Sequence, residues 1–395
     1  MASPEPCAAA EPGGGFGAVD GALAPELLFE VMQRLPAKPM CRLRAVCRSW
    51  LAFTTDPLFL AAYAARHPHP LLAVLEEGSP TRRVDLVDLS GNVVKEIRGV
   101  REASGVVRAS SGRVLVHGEN HGVTVVDPAT GSMAALPFGL AEDTARRCGA
   151  LRTPWIAFGQ TASTGEHKLL RIFEDMEDGI EAEPVCEVLT VSDVNGQWRK
   201  MESPPGYLDP SCTNGVVFRG AAYFFLDLWQ LDPSFNTYFA TGCIPSFDLV
   251  TEQWGMHLQG PVNRILEEAN GTLSYADLTD RLMLSELKGT LSTAHWNDRI
   301  LAVDIWFLVD FEKGVWSKEY RINVGFAFED FGDAVQPLVV ADDGKVVLWL
   351  QTGSNGMVWV YNPVTDTSSE IIRKETSIDN GIGVYTGNQL CPGSV

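Results

Sequence analysis

The chain has 395 residues, with 31 Lys and Arg against 50 Asp and Glu, and a net charge of −19 argues against a nucleic-acid or anionic-membrane partner. Hydrophobic residues make up 45%, and ten Trp and eighteen Phe spread along the chain suit a folded protein with more than one domain. Eight cysteines without a CxxC pair, no apolar run approaching a membrane span and no signal-like N-terminus lead us to expect a reduced, soluble protein of the cytoplasm and/or nucleus.

Residues 1–20 are Ala, Gly and Pro with almost no periodicity and read as a disordered lead. The GGGFG within them has no strand before it and no helix after it, so it is not a phosphate loop. Residues 21–66 read as a small helical domain. Pro25 suits a first helical turn, and Leu27, Leu28, Val31, Met32 and Leu35 form one apolar stripe behind it. Pro36 ends that helix, because the residue before a proline is pushed out of the α region. Pro39 can open a second helix, whose stripe is Met40, Leu43, Val46, Cys47 and Trp50, with Arg42, Arg44 and Arg48 on other faces. Asp56-Pro57 reads as an N-cap and first-turn proline for a third helix through Leu58, Phe59, Ala62 and Tyr63. Helices this short cannot bury both stripes against each other, so some apolar surface is left for a further helix or a partner. Residues 26–50 carry five basic side chains against Glu26 and Glu30, which suits an acidic protein partner or merely solvates two helices.

The order Leu-Leu-x-Glu (27–30), Arg-Leu-Pro (34–36), Arg-x-Arg-x-Val-Cys-Arg-x-Trp (42–50) and Asp-Pro-x-Phe (56–59) resembles a plant F-box. It departs from the family's usual pattern in placing the early proline at Pro25 and in having Pro39-Met40 where Ser-Leu is more common. The resemblance implies a three-helix F-box that docks on the Skp-type linker subunit of a cullin–RING ubiquitin ligase. It puts the contact on Leu23, Pro25, Leu27, Leu28, Leu35, Pro36, Leu43, Val46, Cys47 and Trp50, some of them internal core. The alternative is a helical cap with no partner.

From residue 71 to about 390 the pattern alternates, in short runs of Val, Ile, Leu, Phe and Trp cut by Gly, Asp and Asn turns. Residues 110–137 and 342–372 share one plan: Gly112 or Gly344 at a tight turn, a Val-rich strand, a loop, a second strand, then Asp127-Pro128 or Asn362-Pro363 opening a type I turn. Looser copies place turn residues at 88, 193, 248 and 310, and 272–287 continues the series. Spacings of 39 to 66 between these positions describe an irregular array of three- to four-stranded units. Such sheets bury both faces only by stacking around an axis, which at about 40–50 residues per blade allows about six to eight blades. The pattern, with VDIWFLVD and GVWSKEY in the final third, resembles the F-box-associated β-propeller of the kelch-like kind. The fold class expected is therefore α+β multidomain, a helical F-box followed by an all-β propeller; a pair of β-sandwiches is the alternative.

No segment carries recognisable catalytic chemistry. His67 and His69 lie in a proline-broken joint and read as solvated, and His117, His121, His167, His257 and His295 lack nucleophile or metal spacing. The acidic run 173–187 lacks calcium-loop spacing and reads as a solvated hairpin tip. Trp198, Trp254 and Trp316 each follow a turn, as blade-to-blade packing requires. Three less regular stretches, 138–165, 227–241 and 288–299, are candidate rim loops, and Trp229, Phe235, Tyr238 and Trp296 are candidate target-binding residues. We expect no metal, no cofactor and no catalytic site. The resemblance implies a substrate-recognition subunit whose linker brings in cullin and RING subunits and whose propeller holds a target protein. A linker-binding scaffold that never reaches a cullin, or a propeller enzyme, are the alternatives.

Overall fold

The structure is a computed structural model that describes residues 25–386 except 36, 45, 67–69, 77–80, 101–102, 111, 119–121, 149–153, 162, 178–179, 192–195, 211–213, 228–242, 256, 279–280, 326–333, 353–354 and 376–381. The expected disordered lead and Leu23 lie outside the described residues. The chain divides into two compact units, with the break between residues 68 and 69.

The first unit consists of α1 (Pro25–Gln33), α2 (Ala37–Arg44), α3 (Arg48–Thr55) and α4 (Pro57–Arg66). Pro25 and Pro57 start α1 and α4, where a missing N–H costs nothing, and the Asp56 carboxylate accepts the Leu58 amide at 2.8 Å as the N-cap. The second expected helix is two. The helix signal of 39–50 breaks before Cys47, whose extended backbone and Sγ, 3.5 Å from the Trp50 amide, cap α3 afresh. A cap can interrupt a continuous apolar stripe without changing the spacing of its residues, so periodicity does not reveal it. Leu28, Met32, Met40, Phe53, Phe59 and Tyr63 form the core, with Phe29 edge-on to Phe53 and Phe59 at 5.9 and 5.3 Å. The Tyr63 hydroxyl donates to the Leu35 carbonyl at 2.8 Å, satisfying a carbonyl beyond the end of α1.

The second unit is a six-bladed β-propeller, with six four-stranded antiparallel sheets among the described residues. Blade one pairs β1 (Leu71–Glu76), β2 (Arg82–Val87) and β3 (Val93–Val100); blade two is β4 (Ala103–Ser110), β5 (Arg113–Gly118), β6 (Val123–Val126) and β7 (Met133–Ala135). Helix α5 (Leu140–Cys148) leads to blade three, β8 (Trp155–Gln160), β9 (His167–Glu177), β10 (Ile180–Val191) and β11 (Arg199–Met201). Blade four is β12 (Val216–Phe218), β13 (Ala221–Tyr223), β15 (Ser246–Asp248) and β16 (Gln253–Trp254), flanked by a ribbon of β14 (Cys243–Ile244) and β17 (Leu258–Gln259). Helices α6 (Val262–Glu268) and α7 (Tyr275–Leu278) precede blade five, β18 (Leu282–Leu287), β19 (Thr290–Asn297), β20 (Ala302–Asp310) and β21 (Val315–Asn323). Blade six is β22 (Ala334–Val340), β23 (Val346–Thr352), β24 (Asn355–Asn362) and β25 (Thr367–Glu375). The last strand, β26 (Gly383–Tyr385), returns to pair antiparallel with β1 as the missing strand of blade one, which closes the ring. This arrangement replaces the β-sandwich alternative.

The turn residues at 88, 127, 248, 310 and 362 occupy one topological position, the turn between the third and fourth strands of a blade. Asp127 and Asp248 each accept backbone amides two and three residues on at 2.7–3.2 Å, Asp88 accepts Ser90 and Asn92, and Asn362 accepts Val364. These side chains mimic a backbone turn, which is why Asp or Asn recurs there. Position 193, the equivalent in blade three, lies outside the described residues.

The core is a ring of sheet-to-sheet contacts. Val303, Ile305 and Phe307 of blade five meet Val346, Leu348 and Leu350 of blade six, and Leu72 and Val74 of blade one meet Val347 and Val358. Trp198, Trp254 and Trp316 fasten neighbours together as expected. Their indole N–H groups donate to the carbonyls of Pro137, Glu202 and Gln259 at 2.7, 3.0 and 2.7 Å, each acceptor lying in the segment that leaves the preceding blade. One prediction is corrected: 272–287 is not a further strand pair but α7 followed by β18.

Candidate partner-binding surfaces

In the helical unit the apolar stripe divides. Leu28 is corrected from the contact set to the core: it is 6% exposed and packs with Met32 and Phe59. Leu35, Leu43 and Trp50 pack half-buried against that core. Leu27 and Val46 stay open, at 56% and 62% exposed, and Cys47 is exposed as the cap of α3. Pro25 begins α1, and Pro36 lies outside the described residues. The structure adds Val31, Leu51 and Leu58, exposed at 49%, 38% and 72%, which the sequence motif did not single out as contacts. Val31 follows Leu27 by one helical turn, so helical spacing carried that signal. Five open aliphatic side chains on so small a helical unit are more than solvation explains.

In the propeller, Trp296 is corrected from a rim residue to the core. It lies in β19, is 6% exposed and packs between blades five and six, because the stretch 288–299 is mostly strand rather than loop. The stretch 138–165 likewise holds α5 and β8, with Trp155 buried. Trp229, Phe235 and Tyr238 lie outside the described residues. The acidic run is the β9–β10 hairpin, but its last residue, Glu187, is fully buried against Arg171. His295, held neutral, sits in the interior, where burial pushes its pKa down to about 4.

A depression of about 330 Å³ opens where the same ends of the first strands of blades two to five converge, at the mouth of the axial channel. Ser110, Gln160, Thr161, Arg219 and Glu286 line it. Arg219 and Gly220 form the two-residue β12–β13 hairpin turn with φ of 50° and 80°, the left-handed pair that such a turn demands. The Arg219 guanidinium lies over the rings of Phe218 and Phe311, 5.0 and 5.7 Å from their centres. Glu286 reaches solvent, yet the walls of the depression desolvate its carboxyl and hold it above the usual range. Among the described residues no group of His, Cys, Asp and Glu could hold a metal ion, and no helix is long and apolar enough to cross a membrane.

A helical unit with open aliphatic side chains, followed by a six-bladed propeller, defines the class of F-box proteins with a β-propeller domain. Comparison with known families bears this out: an F-box domain matches residues 22–61, and the F-box associated beta propeller domain matches residues 88–385. The chain belongs to the F-box-associated β-propeller family. Its relatives include an F-box/LRR-repeat protein of Arabidopsis thaliana, 26% identical over 50% of this chain and 49% of the relative. Another Arabidopsis thaliana F-box protein is 27% identical over 52% of this chain and 55% of its own length. A putative F-box protein of the same plant is 43% identical over 12% of this chain and 13% of its own length. The chain thus spans about half the length of the first and second of these relatives.

Proposed function

We propose that the protein is a substrate-recognition adaptor of an SCF-type ubiquitin ligase, its F-box gripping a Skp-type linker subunit and its propeller holding a target protein. The observation that carries this reading is the division of the F-box stripe, in which one set of apolar side chains forms a complete small core while Leu27, Val31, Val46, Leu51 and Leu58 stay open. Burying such side chains supplies about 1.5–3 kcal/mol each, so a few of them sustain a stable complex. Through the linker the cullin and RING subunits would be recruited, and the protein itself would carry no catalytic group. Rate would then come from holding target lysines near the ubiquitin-loaded enzyme rather than from local chemistry. Cytoplasm and nucleus are the compartments that suit this role. Reconstituting ubiquitin transfer with linker, cullin and RING subunits tests it: self- or target-ubiquitination that depends on this chain is expected. Stable linker binding without any transfer would favour the scaffold reading.

A further inference from the structure

We infer that the mouth of the axial channel is a receptor for a carboxylate side chain, Asp or Glu, in an extended peptide of a partner protein, with Arg219 as its anchor. The inference rests on the reading of the propeller as the target-holding part.

The outer turns, between third and fourth strands, carry the Asp and Asn residues whose side chains bond to their own turns. The inner turns, between first and second strands, and their flanks mix signs, with Arg113, Arg219, Lys288 and Lys345 against Glu166, Asp342 and Asp343. In the depression itself Arg219 is the basic side chain and Glu286 the acidic one, its carboxyl held above the usual range by burial. Lys345 is spoken for by Asp343 at 2.7 Å, and Lys288 by the Tyr320 hydroxyl at 2.7 Å. Arg219 has no carboxylate or other hydrogen-bond acceptor among the described residues; its contacts are the two aromatic rings. Elsewhere in the propeller Arg171, Arg199, Arg281, Arg299, Arg321 and Arg373 all hold carboxylates.

A guanidinium held over two rings is preorganised, and its donors stay free for bidentate pairing to a planar carboxylate. A non-glycine residue at φ 50° also costs about 1–2 kcal/mol, and Asn would fit that turn better. Beside Arg219, Phe311 is 39% exposed and stands edge-on to Tyr223 at 6.3 Å, an apolar shelf for the residue next to the acidic one. The 330 Å³ volume sits at the low end for small-molecule clefts, room for one or two side chains rather than a cofactor. Continuity with the Phe311 shelf favours a peptide over a free carboxylic acid.

The test is an immobilised array of degenerate heptapeptides, each with one residue fixed at its centre, probed with the purified full-length chain. Asp- and Glu-centred peptides, strongest with an apolar neighbour, should exceed their Asn- and Gln-centred counterparts by about tenfold, the worth of a charge-assisted pair. Arg219→Asn, which suits the left-handed turn and so keeps the fold, should erase that preference. Arg264→Gln, on α6 in a connection between blades, should leave it intact. Absence of an acidic preference, or its survival in Arg219→Asn, overturns the inference. Equal competition by free glutarate would also overturn it, by making the site a small-carboxylate pocket. Linker binding by Arg219→Asn should match wild type, so an array without the acidic preference speaks against the anchor and not against the F-box.

Discussion

The guanidinium of Arg171, with no exposed surface, holds the buried carboxylate of Glu187 at 2.6 Å, an ion pair sealed inside blade three. Arg171 also pairs with Glu142 at 2.7 Å, and Glu187 accepts the Leu140 amide at 2.9 Å, so the cluster ties α5 to the sheet. Removing one partner of such a cluster strands buried charge. Arg171→Leu is expected to cost about 3–5 kcal/mol, read as a lowered urea midpoint with near-native ellipticity before the transition.

The same cluster makes stability pH-dependent. Burial raises the Glu142 carboxyl, but the hydrogen bonds and charge of Arg171 and the Gly139 amide outweigh it, holding the group below its ordinary 4.5. Ionised Glu142 therefore contributes stability that is complete above the unfolded value and lost as pH falls through the lower folded one. Glu142→Gln should flatten the fall in urea midpoint as pH drops below 4.5, besides lowering it at neutrality.

The indole locks separate packing from hydrogen bonding. Trp316 is 2% exposed and donates to Gln259 at 2.7 Å. Trp316→Phe should cost about 1–2 kcal/mol through the orphaned carbonyl and smaller ring, and Trp316→Ala about 3–5 kcal/mol through the cavity. Thermal unfolding of the pair gives the difference directly.

Closure depends on β26, whose Tyr385 is 1% exposed in the core between blades one and two. A chain ending at residue 380 leaves β1 as a bare edge and exposes that core. Such a truncation should lose the cooperative melt and become protease-sensitive across blades one and two, as limited proteolysis with mass spectrometry would read.

Much of this architecture is legible in the amino acids because the repeat is written in side chains that make their own turns. The Asp and Asn at 88, 127, 193, 248, 310 and 362 number six, one per blade, and five of them sit at equivalent described turns. Other features depend on distant partners and leave no local trace. The short GVY of β26 carries no periodicity, and only its pairing with β1 makes it a strand. Trp296 resembles an exposed anchor until β19 and β20 pair around it. Arg171 and Glu187, sixteen residues apart, look solvated until the β9–β10 register sets one against the other. In the F-box, spacing identified the stripe but could not divide Leu27 from Leu28, adjacent residues of opposite fate. That division depends on where α3 and α4 fold back.

Calorimetric titration of the full-length chain with a purified Skp-type linker subunit tests the central claim most directly. Wild type is expected to bind at micromolar concentration or tighter, and Val46→Asp, altering an exposed side chain, to weaken binding by about tenfold or more while melting as wild type does. No heat of binding from the wild-type chain, or undiminished binding by a Val46→Asp and Leu27→Asp double variant, would contradict the account.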